Sequence, residues 1–152
     1  MSEREGSEPS PTDPAAPARK PRVHGLGGVF FKARDPSALS AWYARHLDVG
    51  SQEGGCALFS WKREDTGADA FTVWAPFAET TEYFEPSDKP YMLNFQVDDL
   101  AATLRALREE GCRVLDRYEE SEQGKFGYVV DPEGGLIELW QANPNDPAVV
   151  GE

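Results

Sequence analysis

The chain has 152 residues, 39% of them apolar, and carries 15 Lys and Arg against 27 Asp and Glu, a net charge of −12. That length supports one hydrophobic core rather than two, and the acidic balance excludes the basic patches that nucleic acid and anionic membrane surfaces require. No apolar run approaches the roughly 20 residues of a membrane helix, and Cys56 and Cys112 are too few for a disulfide framework or a thiolate metal centre, so the expectation is a cytoplasmic protein.

Residues 1–22 hold five of the twelve prolines (Pro9, Pro11, Pro14, Pro17, Pro21) and almost nothing apolar, a composition that predicts a disordered tail. A folded domain is expected over 23–142, with a loose extension over 143–152. The first strand falls near Gly28–Ala33. Asp35 is a good helix N-cap, and Pro36 suits a first helical position, where its missing N–H costs nothing. Leu39, Trp42, Tyr43 and Leu47 recur at helical spacing, predicting about three turns, with Trp42 and Tyr43 as core contacts. His46, near the end of this helix, reads as a packing or surface histidine. Strand-like runs follow at Cys56–Trp61 and Ala70–Pro76.

The pattern then repeats. Met92-Leu93-Asn94-Phe95-Gln96-Val97-Asp98-Asp99 matches Gly28-Val29-Phe30-Phe31-Lys32-Ala33-Arg34-Asp35, 64 residues earlier. A second helix carries Leu100, Leu104 and Leu107, with Gly111 as its stop. Strands at Gly127–Val130 and Leu136–Trp140 flank Asp131-Pro132-Glu133-Gly134, a strong turn signal. Phe71-Thr72-Val73-Trp74 in the first unit aligns with Ile137-Glu138-Leu139-Trp140 in the second. Strand, helix, then two or three strands, twice over, is an α+β order with modules at about 25–76 and 90–141.

Side chains alternate across a strand, so each repeated strand divides into two faces. Val29, Phe31, Ala33, Phe71, Val73, Leu93, Phe95, Val97, Ile137 and Leu139 form an apolar set expected beneath the helices. The opposite set, Gly28, Phe30, Lys32, Thr72, Trp74, Met92, Asn94, Gln96, Glu138 and Trp140, mixes aromatic rings with amide, hydroxyl and carboxylate groups. That is the composition of a ligand cavity. Phe30, Thr72, Trp74, Met92, Asn94, Gln96, Tyr128, Glu138 and Trp140 are therefore the expected ligand-binding residues.

Asp35-Pro36 with Trp42-Tyr43, then Phe95-Gln96-Val97-Asp98-Asp99-Leu100, then Asp131-Pro132-Glu133-Gly134-Gly135-Leu136-Ile137-Glu138-Leu139-Trp140, resemble the glyoxalase/bleomycin-resistance/extradiol-dioxygenase superfamily, also called the vicinal oxygen chelate fold. The likeness covers about residues 25–141. It implies an α+β fold of two βαβββ modules forming paired half-barrels around a cavity, and a homodimer. Metal-using members take ligands from one position on each of four strands, and the carried-over positions here are Gly28, Thr72, Met92 and Glu138. Only Glu138 is a good ligand for a divalent cation. A site from Asn94, Glu138 and His24 is a conceivable substitute, although His24 is expected at the surface.

No metal ligands and no cofactor are therefore expected. The resemblance implies a metal-independent small-molecule (drug or metabolite) binder with an aromatic-lined cavity, as in the bleomycin-resistance branch. The alternative is an enzyme of the superfamily, a lyase, isomerase or dioxygenase, with Glu138 as catalytic base or metal ligand and Lys32 as the nearest stabiliser of negative charge. A third reading is a protein-interaction module with a vestigial cavity and Trp61, Tyr83 and Phe84 on its interface. The expected partner is a small molecule, not nucleic acid or membrane.

Overall fold

A computed structural model describes residues 22–50 and 55–143. The proline-rich tail and the C-terminal extension expected from sequence lie outside these, apart from Arg22 and Asn143. Seven strands and two helices follow in the order β1 (Val23–Ala33), α1 (Pro36–Leu47), β2 (Ala57–Lys62), β3 (Asp69–Ala78), β4 (Tyr91–Val97), α2 (Leu100–Glu109), β5 (Arg113–Ser121), β6 (Gly124–Val130) and β7 (Leu136–Ala142). They form one mixed sheet in the order β2-β3-β1-β4-β7-β6-β5. No helix among the described residues is long and apolar enough to cross a membrane.

The sheet joins two related halves. In each, the first strand runs parallel to the last: β1 beside β3, with Phe30 opposite Ala75, and β4 beside β7, with Asn94 opposite Glu138. The halves meet where β1 pairs antiparallel with β4, Val29 facing Leu93. Among the described residues the first half has three strands, and the second has four. The extra one, β5, lies at the sheet edge. It is rich in charge and weak in alternation, which hid it in the sequence and suits an edge that must not recruit another chain.

Local signals set the helix ends. The side chain of Asp35 accepts a hydrogen bond from the Ala38 N–H at 3.0 Å, and that of Asp99 from the Ala102 N–H at 3.0 Å, so each helix start has one orphan donor satisfied. In the β6–β7 turn, Asp131 Oδ1 accepts from the N–H groups of Glu133 and Gly135. The β5–β6 hairpin turns at Gly124, whose φ of +133° and whose close approach to the Gln141 carbonyl both exclude a side chain.

Both helices pack on one face of the sheet, α1 on β1 and β3, α2 on β5, β6 and β7. Leu100 and Leu104 from α2 bury against Val97, Val129 and Leu139, as the apolar set predicts for the second half. In the first half Trp74 fills the equivalent space. Its ring lies 4.7 Å from Tyr43 and 5.3 Å from Phe31. Trp42 is not a core residue: it is 52% exposed and leans on Tyr43 and His46.

A second apolar cluster, Phe84, Met92, Tyr128 and Leu136, lies on the opposite face under the segment that links the halves. Phe84 is 1% exposed, so it belongs to the core and not to an interaction surface.

Candidate functional site

The face away from the helices holds a cavity of about 630 Å³, within the range of small-molecule sites. Phe30 and Gly27 of β1, Phe71, Val73, Ala75 and Phe77 of β3, Asn94 of β4, Phe126 of β6, and Glu138 and Trp140 of β7 line it, with Tyr83 from the linking segment and Cys56, Leu58 and Gln123 at other points. Phe126 stacks nearly parallel to Trp140, and the edge of Phe71 meets Trp140 at 5.7 Å. Trp140 is fixed by an indole N–H bond to the Gln123 carbonyl at 2.8 Å.

Of the residues expected here, Phe30, Asn94, Glu138 and Trp140 line the cavity. Tyr128 does not reach the lining, but its hydroxyl bonds Glu138. Met92 shares the face and is sealed beneath Phe84 and Tyr128. Gln96 is turned to the sheet, its Nε2 donating to the Phe71 carbonyl at 3.1 Å. Thr72 and Trp74 point to the other side: Thr72 Oγ1 accepts from the Trp61 indole and donates to the Leu26 carbonyl, and Trp74 packs under α1.

Register explains the reversal on β3. Trp74 lies beside Val29, whose counterpart Leu93 lies beside Ile137. Ile137, not Trp140, is thus the structural equivalent of Trp74. The sequence alignment of β3 with β7 was off by three residues, an odd number, which exchanges the two faces. Phe71 and Val73, expected beneath the helices, face the cavity instead.

The same register places Ala75, not Thr72, at the β3 position equivalent to Glu138, while Gly28 and Met92 remain equivalents in β1 and β4. The set then reads Gly28, Ala75, Met92 and Glu138: no side chain, a methyl, a thioether and one carboxylate, to which the Asn94 amide that bonds Glu138 adds a neutral group. Such a donor set does not fit a catalytic divalent cation, which needs at least three protein ligands converging from several elements.

His24 does not supply the missing donor. Its Nε2 lies 2.7 Å from Asp98 Oδ1, outside the cavity, and its side chain is only 8% exposed, contrary to the surface position expected. Burial works against the charge on Asp98, but the close His24 imidazole and the Arg63 guanidinium prevail and hold its pKa below the ordinary value. Asp65, bonded to the Arg63 guanidinium, is also held below the ordinary range. Arg63 brings a fixed positive charge to this cluster through its pairs with Asp65 and Asp98. Lys32 lies over the Phe84 ring, outside the cavity lining, so it stabilises no charge there.

Glu138 is 2% exposed and held at both oxygens. Oε1 accepts from Asn94 Nδ2 at 2.6 Å, and Oε2 from the Tyr128 hydroxyl at 2.6 Å and from the Tyr83 hydroxyl; the two hydroxyls are 2.8 Å apart. Burial, reinforced by the Glu138 charge, pushes the pKa of Tyr83 and of Tyr128 well above the ordinary phenol value, so both remain donors. Behind them the Arg117 guanidinium lies 4.0 Å from the centre of the Tyr128 ring and 4.4 Å from that of Tyr83, and donates to the Tyr83 carbonyl. Tyr83 and Arg117 were missed as site residues because neither sits on a repeated strand. The aromatic pair Tyr83-Phe84 before a proline was the available signal, and it pointed equally well to an interface.

A doubled α+β sheet with this cavity on the face away from the helices defines a protein of the glyoxalase/bleomycin-resistance/dioxygenase superfamily. The chain belongs to the glyoxalase-like family: residues 28–140 match the model of the glyoxalase-like domain. No curated protein matches significantly. Among solved structures, methylmalonyl-CoA epimerase from Mycobacterium tuberculosis is similar at a TM-score of 0.54 and 20% identity, over 86% of this chain and 96% of that one. A Streptomyces coelicolor methylmalonyl-CoA epimerase variant in complex with 2-nitronate-propionyl-CoA gives 0.56 and 16%, over 86% and 99%. A Legionella pneumophila structure described as an NAD-dependent benzaldehyde dehydrogenase gives 0.52 and 19%, over 76% and 98%. At these identities the likeness is one of fold.

Proposed function

We propose that this chain is a metal-independent binding protein for a drug-sized organic molecule, a drug or a metabolite, held in the aromatic-lined cavity. The observation that carries this reading is the donor set. Glu138 is the sole carboxylate among the described residues of the lining, and three donors already occupy its two oxygens. A carboxylate so engaged is suited to recognition. As a general base it would need a partner to stabilise the developing anion, and no Lys or Arg is among the described residues that line the cavity. The aromatic walls supply area and the buried polar floor supplies orientation, as binding sites for organic ligands require. Homodimerisation, which the superfamily resemblance implies, belongs to the same reading and is measured by analytical ultracentrifugation.

The test combines two titrations on the whole chain. Calorimetry with Zn²⁺, Ni²⁺, Fe²⁺ and Mn²⁺ is expected to show no stoichiometric binding. A library of organic fragments, followed by the NMR signal of the Trp140 indole N–H, is expected to yield cavity binders. Glu138→Gln should weaken these by a modest factor. Stoichiometric metal binding abolished by Glu138→Gln, or a turnover that the same substitution lowers by orders of magnitude while the substrate still binds, would establish the enzyme instead.

A further inference from the structure

Asn94 is 1% exposed, and its Oδ1 has no hydrogen-bond partner among the described residues. The orientation of the amide is chemically forced. A carboxylate cannot donate, so Nδ2 must face Glu138 Oε1, and Oδ1 is left on the other side. There it lies over Gly27, where a Cβ would come within 2.2 Å of Oδ1 and 3.0 Å of the Trp140 ring. Glycine at 27 thus lets the amide oxygen and the indole close directly on the backbone, with no room for a side chain. Buried acceptors left unpaired are costly and uncommon, and this one belongs to a residue that lines the cavity together with Glu138.

The rest of the wall sharpens the selection. No Lys or Arg is among the described residues that line the cavity. The nearest cation of the network, Arg117, is spent on the Tyr83 carbonyl, on Glu119 and on the outer faces of the two tyrosine rings. An anionic ligand would enter an acidic protein, beside a buried carboxylate, with no counter-charge. Resting on the binding reading above, we infer that the ligand is a flat aromatic molecule, neutral or cationic, that presents an N–H or O–H donor to Asn94 Oδ1 and Glu138 while its rings lie against Trp140, Phe126 and Phe71. Anionic ligands such as the acyl-CoA compound bound by the Streptomyces coelicolor epimerase variant are excluded by the same chemistry.

Three probes of one ring shape test this: proflavine, which is cationic and carries amino donors; acridine, which lacks those donors; and anthracene-2-carboxylate, which is anionic. Affinities are read from the Trp140 indole N–H signal and from probe fluorescence. Proflavine is expected to bind at least tenfold more tightly than acridine, and acridine more tightly than the carboxylate. Gly27→Ala, whose Cβ displaces the Asn94 amide, and Asn94→Leu, which removes the acceptor, should each bring proflavine within about threefold of acridine. Thermal melts confirm that each variant is folded, and either folded variant suffices. Equal or tighter binding of the carboxylate, or a proflavine preference that survives both variants, would overturn this ligand class and leave the binding reading intact. Failure of all three probes to perturb Trp140 would overturn both.

Discussion

The two tyrosines beneath Glu138 provide a quantitative test of how the site is held together. Tyr83→Phe and Tyr128→Phe each remove one hydroxyl and keep the ring, so Arg117 retains its aromatic platform and the packing around Phe77 and Met92 is unchanged. A hydrogen bond to a charged group contributes about 1.5–3 kcal/mol, but each single variant leaves Oε2 with the other hydroxyl. Each should therefore cost only about 1–2 kcal/mol, a melting shift of roughly 3–8 °C for a domain of this size. The double variant leaves Oε2 buried with no donor. Its cost should exceed the sum of the singles by at least about 1 kcal/mol, because the desolvation penalty appears only when the last donor is gone. Urea unfolding of the four proteins measures the coupling. Additivity within about 0.5 kcal/mol would show that the hydroxyls do not share one carboxylate oxygen, and the account of the site would fall with it.

Other outcomes follow from the same structure. Spectrophotometric titration should find that Tyr83 and Tyr128 resist ionisation in the folded protein. Their folded pKa values lie above the unfolded value of 10.0, so the unfolded chain loses these protons first. Their contribution to stability is complete below about pH 10 and declines as pH rises further. Gly124→Ala would place a Cβ 2.2 Å from the Gln141 carbonyl oxygen at a left-handed φ, and denaturant melts should register a loss of about 2–4 kcal/mol. Asp99→Ala removes the cap of the Ala102 N–H and should cost about 1 kcal/mol, read in the same way.

Much of this architecture was legible in the chain because it depends on local chemistry. The Asp35 cap, the Asp131 turn and the α2 stripe of Leu100 and Leu104 lie where the sequence places them, since each is signalled by residues within one element or turn. The 64-residue repeat of β1 in β4 also holds, as the pairing of Val29 with its own counterpart Leu93 shows. The faces of β3 were not legible. Phe71-Thr72-Val73-Trp74 alternates equally well in either direction, and Trp resembles Trp whether it lines a cavity or packs beneath a helix. Only the parallel pairing with β1 decides between them. Trp42 fails for a related reason: helical spacing cannot tell which apolar side chain of a mostly exposed helix meets the sheet.

The sequence by itself determined a doubled α+β unit, an aromatic-rich inner face and one carboxylate, Glu138, short of the partners a catalytic cation needs. The tertiary structure decided what surrounds that carboxylate. Tyr83 arrives from the segment between the halves, Tyr128 from an adjacent strand and Arg117 from the sheet edge, and their convergence depends on strand order and register between residues 10 to 55 positions apart in the chain. Such convergence leaves no periodicity in the sequence, because period and spacing encode neighbours along one element, whereas a binding site is made where separate elements meet.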